Sequence, residues 1–183
     1  LPVECFKALA SGPGPLLQPL LDLFNHCWHH RSFPKEWLTS KVVMIFKKGN
    51  PAIRDNHCPI CLPIVVQKVF TAILKQRLLD AGVDDKLWST QFGFRKKRST
   101  EEAIFIARRR IELAMAHRFG SVSLLALDWK KAFDRVSVAS LIEALRRFGV
   151  PQHFCSVVGA IMNNRAFFVN EFGAQSAPRP QSS

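Results

Sequence analysis

Apolar residues recur three and four positions apart in two long segments, which is the spacing of one face of an α-helix. The first segment ends before Pro34 and carries Leu17, Leu20, Leu21, Phe24 and Trp28. The second ends before Gly82 and carries Val66, Val69, Phe70, Ile73, Leu74 and Leu78. Because Pro and Gly commonly follow the last turn of a helix, the pattern predicts a packing helix within the first thirty residues and another over residues 65–79.

Capping residues predict further helices in the second half of the chain. The Ser-Thr-Glu-Glu run at residues 99–102 suits an N-cap and a first turn, so a helix is expected to run to about residue 117. Gly149 is expected to end a helix over residues 138–148, and Pro151 to open one more.

Three shorter segments predict strands by their runs of β-branched and other apolar residues. The first is KVVMIFKK at residues 41–48, which turns at residues 49–51, and the others lie at residues 121–128 and 167–172. Helices and strands thus mix without the regular alternation of a doubly wound sheet, which predicts an α+β fold.

Composition and charge narrow the class of partner. With 183 residues, 48% of them hydrophobic, the chain has enough apolar side chains for a core and is not expected to be a disordered tail. Its 26 Lys and Arg against 14 Asp and Glu give a formal net charge of +12, which suits nucleic acid or an anionic membrane, or is simply a basic surface. No apolar run approaches the length of a membrane-spanning helix, so no membrane partner is expected.

The cysteines favour a reducing, intracellular compartment, the nucleus included. They number five, an odd number without the pattern of a disulfide ladder: Cys5, Cys27, Cys58, Cys61 and Cys155. Cys58 and Cys61 have C-x-x-C spacing, and nearby histidines could complete a zinc site, so a zinc-dependent interaction module is one alternative. The chain begins without Met and ends in a run rich in Pro and Ser, and we therefore expect it to be a piece of a longer protein.

The candidate chemistry lies in LALDWKKAFD, residues 125–134. An apolar run ends there in Asp128, and a second carboxylate, Asp134, follows six residues later. A carboxylate at the end of a rigid strand can hold a catalytic metal ion. The alternative is a turn-forming or helix-capping Asp.

Two upstream blocks add context: QFGFRKKRST at residues 91–100 and NHCPICL at residues 56–62. In this order and spacing, from about Pro34 to Phe172, the chain resembles the reverse transcriptases of non-LTR (LINE-type) retrotransposons, which are similar to group II intron reverse transcriptases. The resemblance implies the fingers and partial palm of a right-hand polymerase. Residues 1–33 would form a helical segment leading into the fingers, residues 34–120 the fingers and residues 121–183 the first part of the palm.

The resemblance also implies RNA-directed DNA synthesis by two-metal phosphoryl transfer, with Mg²⁺ (or Mn²⁺), an RNA template, a DNA primer and deoxynucleoside triphosphates. Asp128 corresponds to the first metal-binding aspartate, and the backbone of Trp129 offers a second oxygen. Phe133 corresponds to the aromatic residue beneath the incoming sugar that excludes a 2′-hydroxyl, although an ordinary core Phe is the alternative. Asp134 is interpreted as scaffolding that orients Arg135 or caps the next helix.

Basic residues complete the implied interface. By resemblance, the loop and helix start that lie along the template contain Gln91, Gly93, Phe94 and Arg95. Lys96, Lys97 and Arg98 extend its positive charge. Residues 108–110, all Arg, are either a solvated helix face or a further contact to nucleic acid. Lys47 and Lys48 correspond to a fingers hairpin over the incoming nucleotide, or form a soluble turn.

Two departures from the family leave activity open. Cys58 stands where the family usually has an Arg that contacts the triphosphate, and Cys61 where it commonly has Ser; a thiol cannot make a bidentate phosphate contact. Either Lys47 or Lys48 compensates, or catalytic competence is lost. The family's downstream Asp-Asp strand is absent from this sequence. A catalytically inactive nucleic-acid-binding remnant, or a maturase-like RNA-binding domain, is therefore the alternative function, and the sequence indicates no oligomeric state.

Overall fold

The structure is a computed structural model that describes residue 4 and residues 17–129, 131–163, 165–171 and 174–181. The chain divides into two compact units, one of residues 1–76 with 134–183 and one of residues 77–133. The described α-helices are α1 (Leu17–His30), α2 (Lys35–Leu38), α3 (Val65–Asp80), α4 (Thr100–Met115), α5 (Val138–Arg147) and α6 (Gln152–Met162). The described strands are β1 (Thr39–Phe46), β2 (His57–Leu62), β3 (Ala166–Glu171), β4 (Ala174–Gln175) and β5 (Arg179–Pro180).

The first unit contains a five-stranded mixed sheet in the order β2-β1-β3-β4, with β5 also paired to β3. β1 and β2 form an antiparallel hairpin in which Lys41 pairs with Leu62 and Phe46 with His57. β3 returns from the far end of the sequence and runs parallel to β1, with Thr39 beside Ala166. The sheet therefore combines strands from residues 39–62 with strands from residues 166–180.

An aromatic cluster forms the core beside this sheet. Phe24 of α1, Phe33, Trp37 of α2 and Phe70 of α3 lie with ring centroids 5.4–6.0 Å apart. Aromatic rings at these separations and largely edge-on angles attract each other, which stabilises the fold beyond the hydrophobic effect of their burial. The amphipathic spacing along α1 and α3 thus brings distant parts of the sequence into one core.

α6 packs against α1 in the same unit. The Trp28 ring lies 5.8 Å from Phe154 and 4.8 Å from His153, whose Nε2 is 2.9 Å from the Trp28 carbonyl oxygen. Val157, Cys27 and Cys155 are fully buried. Burial in this apolar setting raises the pKa of the Cys27 thiol.

The second unit has no buried residue among those described between residues 77 and 133. It contains a 3₁₀ turn at Val83–Lys86, the loop leading to α4, and α4 itself. Ser99 caps α4, since its Oγ accepts a hydrogen bond of 3.4 Å from the backbone N–H of Glu102. Apolar residues on α4 and after it stay exposed, Phe105, Met115 and Leu125 among them.

Most predicted elements are confirmed, and one is wrong. The predicted helices match α1, α3, α4, α5 and α6, and the first and third predicted strands match β1 and β3, although Phe172 lies outside the described residues. Residues 121–128 do not form a strand; they are irregular and exposed. A strand exists only where a neighbour completes its hydrogen bonds, and no described strand runs beside this segment.

The mixed fold of helices with one sheet is confirmed. The predicted boundaries at residues 33/34 and 120/121 stay predictions. None of the described helices combines the length and the apolar character needed to cross a membrane.

Candidate nucleotide and nucleic-acid interface

The loop at residues 91–98 has a strained, outward-facing backbone. Phe94 has φ 61° and Lys97 has φ 60°, both in the left-handed region that residues with a Cβ seldom adopt. A Cβ added at Gly93 would meet no other atom within 4 Å, so neighbouring atoms do not require glycine there. Strain of this kind persists only where the surrounding structure holds it, and it concentrates at functional sites.

Arg95 fixes the position of this loop by contacts to two upstream residues. Its Nη2 donates to the Asp84 carbonyl oxygen at 3.0 Å and lies 3.3 Å from Asp84 Oδ2, and its Nη1 donates to the Trp88 carbonyl oxygen at 3.0 Å. The Arg95 side chain is only 12% exposed, and its Nε–H is buried without a hydrogen-bond partner among the described atoms. Although the sequence groups Arg95 with the template-binding residues, its guanidinium is occupied within the unit.

Its neighbours present charge to solvent. Lys96 and Lys97 are exposed and have no carboxylate partner among the described residues. Arg98 is partly neutralised, because its Nη1 lies 3.4 Å from Glu102 Oε2 and its guanidinium lies 5.5 Å from the Phe92 ring centroid. Gln91 is exposed at the start of the loop, with Nε2 3.4 Å from the Gly93 carbonyl oxygen. The two lysines are therefore the most available cations of this loop.

The arginines of α4 are largely paired along the helix. Glu112 receives Arg108 Nε at 2.8 Å and Arg109 Nη1 at 2.7 Å. Hydrogen bonds from Arg108 and then Arg109 lower the pKa of Glu112. Arg110 is exposed and forms no ion pair among the described residues. The structure thus supports the solvated-face interpretation for two of the three arginines.

Asp128, Trp129 and Phe133 stand in the exposed segment after α4. Trp129 and Phe133 are each 79% exposed, which is incompatible with a core role for Phe133 within its unit. Phe133 begins a 3₁₀ turn, Phe133–Arg135, and its ring meets the Phe94 ring edge-on at a centroid distance of 6.1 Å. The side chain of Asp134 lies outside the described residues. The structure thus joins the loop at residues 91–98 to the aromatic residue that follows Asp128.

The described residues give only part of the ligand set that a catalytic metal centre needs. No three His, Cys, Asp or Glu side chains converge as a metal-binding group in the part of the chain that the structure describes. Asp128 is exposed and belongs to no such group, whereas a two-metal centre needs several carboxylates that converge on both ions. The described residues therefore do not fit a complete Mg²⁺ (or Mn²⁺) site.

The zinc interpretation of Cys58 and Cys61 is wrong for the described residues. Both lie on β2, where residues three positions apart face opposite sides of the strand. Their thiols therefore diverge, and no third ligand joins either of them within the described ranges. The C-x-x-C spacing is a zinc signature only on a turn that brings the two sulfurs together.

Lys47 and Lys48 follow β1 at the tip of the β1–β2 hairpin. The Lys47 N–H donates to the Asn56 carbonyl oxygen at 2.8 Å, so the ladder continues through Lys47. Gly49 has φ 87°, and a Cβ there would lie 2.8 Å from Asn56 Nδ2, so this turn needs glycine. The turn predicted after Lys48 is confirmed, and both lysines are exposed at the tip of the β1–β2 hairpin. The role of this hairpin over an incoming nucleotide stays a prediction.

Comparison with known proteins gives one consistent result. A family model described as "Reverse transcriptase (RNA-dependent DNA polymerase)" matches residues 45–181. The chain is 31% identical over 170 residues to the RNA-directed DNA polymerase from mobile element jockey of Drosophila melanogaster, covering 92% of this chain and 18% of that protein. It is 27% identical over 177 residues to the probable RNA-directed DNA polymerase from transposon BS of the same organism, covering 96% and 19%.

A third relative comes from another organism. The chain is 29% identical over 159 residues to a retrovirus-related Pol polyprotein from a type-1 retrotransposable element of Nasonia vitripennis, covering 81% of this chain and 15% of that protein. The chain thus spans less than a fifth of the length of these curated relatives.

Proposed function

Because the chain belongs to the reverse transcriptase (RNA-dependent DNA polymerase) family, we propose that it forms the fingers and the first part of the palm of an RNA-directed DNA polymerase of a non-LTR retrotransposon. In this proposal residues 34–120 are the fingers, residues 121–183 begin the palm and residues 1–33 lead into the fingers. The observation that carries it is the contact of Phe94 with Phe133, which links an exposed cationic loop to the aromatic residue five positions after Asp128.

The loop at residues 91–98 binds the template backbone in this proposal. Lys96 and Lys97 lie free of carboxylates among the described residues and can neutralise phosphates, while Arg95 keeps the loop in shape through Asp84 and Trp88. The bare backbone at Gly93 leaves room for close approach of a strand. Phosphate contacts of this kind fix register without reading sequence.

Phe133 forms the wall beneath the sugar of the incoming deoxynucleotide. Its exposure leaves the ring face available to a ligand, and its bulk would clash with a 2′-hydroxyl. Asp128 is proposed as one metal ligand and the Trp129 carbonyl as another. Asp134 is proposed to orient Arg135. It does not cap the next helix, because the N-cap of α5 is Ser137, whose Oγ accepts a hydrogen bond of 3.1 Å from the Ser140 N–H.

Lys47 is the better candidate to replace the triphosphate contact that Cys58 cannot make. Ile45 pairs directly with Cys58, and directly opposed side chains of a hairpin lie on the same face. Lys47 is two positions beyond Ile45 and its backbone still bonds to the opposite strand, so its side chain is on the same face as Cys58. Lys48 is the next residue, and its side chain therefore faces the other side. A lysine can bind phosphate as a point charge even without the fork of an arginine.

Primer extension tests the proposal. The full-length protein that contains this chain, given an RNA template, a DNA primer, Mg²⁺ and deoxynucleoside triphosphates, is expected to extend the primer. The 183-residue chain alone is expected to bind the duplex without extending the primer, because no group of three possible metal ligands converges in the part of the chain that the structure describes. Extension by the isolated chain would show that it holds a complete catalytic metal site.

The second candidate function is a non-catalytic nucleic-acid-binding remnant, favoured by Cys58 in place of the family's Arg. It predicts that the full-length protein binds RNA but extends no primer. The same assay therefore separates the two functions.

A further inference from the structure

Phe94 and Phe133 form an aromatic pair that burial does not explain. Phe94 is 92% exposed and Phe133 79% exposed, yet their rings meet at 82° with centroids 6.1 Å apart. This edge-to-face geometry lies within the range in which aromatic pairs attract each other.

The backbone of Phe94 is strained at the position that makes this contact. Its φ of 61° is uncommon for a residue with a Cβ and rarer still for one with a bulky ring. The next residue, Arg95, is fixed through its bonds to Asp84 and Trp88, which holds the loop where Phe94 must leave the ordinary backbone regions. A strained, solvent-facing aromatic residue held in this way indicates a role for its ring.

We propose that Phe94 is a positioning residue that orients Phe133 and thereby contributes to discrimination between deoxyribonucleoside and ribonucleoside triphosphates. This inference rests on the proposed function of Phe133 as the wall beneath the sugar. An exposed Phe side chain samples several rotamers, and a wall excludes a 2′-hydroxyl only while its ring stays in one of them. The edge of Phe94 favours the rotamer that faces it, because leaving that rotamer loses the aromatic contact.

The size of the effect follows from the strength of such a pair. Aromatic pairs shift an equilibrium by roughly twofold to tenfold beyond their burial. Loss of the Phe94 ring should therefore lower selectivity for the deoxyribonucleotide over the ribonucleotide by about that factor. Removal of the Phe133 ring should lower selectivity further, since it removes the wall itself.

The test measures the ratio of kcat/KM for a deoxynucleotide to kcat/KM for the matching ribonucleotide in the full-length protein. Phe94→Asn removes the ring and keeps a residue that tolerates positive φ, so the loop backbone can persist. Phe94→Tyr keeps the ring and should restore the ratio. Phe119→Ala is the matched control, because Phe119 is 90% exposed in the same unit and its ring lies against Arg118, at 5.5 Å from the guanidinium carbon.

We expect the ratio to fall about twofold to tenfold in Phe94→Asn and to stay unchanged in Phe94→Tyr and Phe119→Ala. In the Phe133→Ala background, Phe94→Asn should cause no further loss, since Phe94 acts through Phe133. An unchanged ratio in Phe94→Asn, or additive losses in the double variant, would overturn the inference. Absence of extension by the wild-type protein would instead overturn the proposed function.

A second measurement does not need activity. A 4-fluorophenylalanine at position 133 of the chain reports its surroundings by ¹⁹F NMR. Phe94→Asn should move that resonance and Phe119→Ala should not. An unchanged chemical shift in Phe94→Asn would show that the two rings are not in contact and would overturn the inference as well.

Discussion

Arg95 and Asp84 are bound through both the backbone and the side chain of the aspartate: Arg95 Nη2 lies 3.0 Å from the Asp84 carbonyl oxygen and 3.3 Å from Oδ2. The other terminal guanidinium nitrogen, Nη1, donates to the Trp88 carbonyl oxygen. One side chain thus links the 3₁₀ turn at residues 83–86 to the loop at residues 91–98. The second unit has no buried residue among those described, so this contact joins residues 84, 88 and 95 without the support of a hydrophobic core. Arg95 is therefore structural, although it stands in a run of cations.

We predict that Arg95→Lys loosens this segment. An ammonium lacks the planar fork that serves both carbonyl oxygens and the carboxylate at once. Opening of residues 84–95 should become easier by about 1–2 kcal/mol, seen as roughly tenfold faster amide exchange there. Lys96→Ala, at the exposed neighbouring position, is the control and should leave exchange unchanged. Equal exchange in both variants would show that the Arg95 contacts carry no stability.

A second prediction concerns the salt dependence of binding to an RNA–DNA duplex. Each neutralised phosphate releases counterions, so removing one phosphate-binding cation flattens the slope of log K against log salt by about one. Lys96→Ala and Lys97→Ala should each do so, and Arg98→Ala should do less because Glu102 already pairs with Arg98. The triple change should flatten the slope by up to about three.

Lys75→Ala is the control for this series, since it removes one exposed charge from α3 at a distance in sequence from the loop. It should alter affinity slightly and leave the slope nearly intact. A triple variant with the wild-type slope would mean that the loop is merely solvated.

The hairpin lysines give a third prediction. In the full-length protein, Lys47→Ala should raise the KM for deoxynucleoside triphosphates by about tenfold, because a charge contact to phosphate is lost. Lys48→Ala is its matched control and should change KM much less, because the Lys48 side chain is on the other face of the hairpin from Lys47 and Cys58. Cys58→Arg, which restores the family's residue, should make Lys47 less important. Equal effects of the two lysine changes would contradict the assignment by strand face.

The cysteines give a fourth prediction. In a Cys5→Ser background, Cys61 should be alkylated first and Cys58 next, while Cys27 and Cys155 should stay protected until the first unit unfolds. Burial raises the pKa of Cys27, so its reactive thiolate is scarce at neutral pH. Since this raised pKa favours the neutral folded form, the first unit should lose stability as the pH rises above the ordinary thiol value. Rapid labelling of Cys27 in the native chain at neutral pH would contradict the structure of this core.

Local patterns predicted the helices because their causes are local. The 3.6-residue period places Phe24 and Phe70 on buried faces, and Ser99 caps α4 with the bond that its sequence context indicates. The prediction of a strand at residues 121–128 is wrong because a strand needs a neighbouring strand, and a local pattern does not show whether one is present. Its apolar residues looked like a core strand, yet Leu124 and Leu127 are exposed in the described structure.

The candidate site was predictable by residue type and not by orientation. The charge of the run at residues 95–98 gives no sign that Arg95 turns inward to Asp84 while Lys96 stays in solvent. Likewise, a chain with 15 Phe residues gives no way to tell an exposed Phe133 from a core one. The contact between Phe94 and Phe133 joins positions 39 apart and appears only once the chain is folded.

Asp128 is proposed to belong to the nucleotide-adding centre, and the primer-extension rate of the full-length protein carrying Asp128→Asn tests this assignment. Asparagine keeps the size and hydrogen bonding of the side chain but removes the charge that favours a divalent metal. Extension should fall by orders of magnitude while affinity for the RNA–DNA duplex is nearly preserved, and Asp134→Asn should have a smaller effect. Extension at the wild-type rate in Asp128→Asn would show that Asp128 holds no catalytic metal ion.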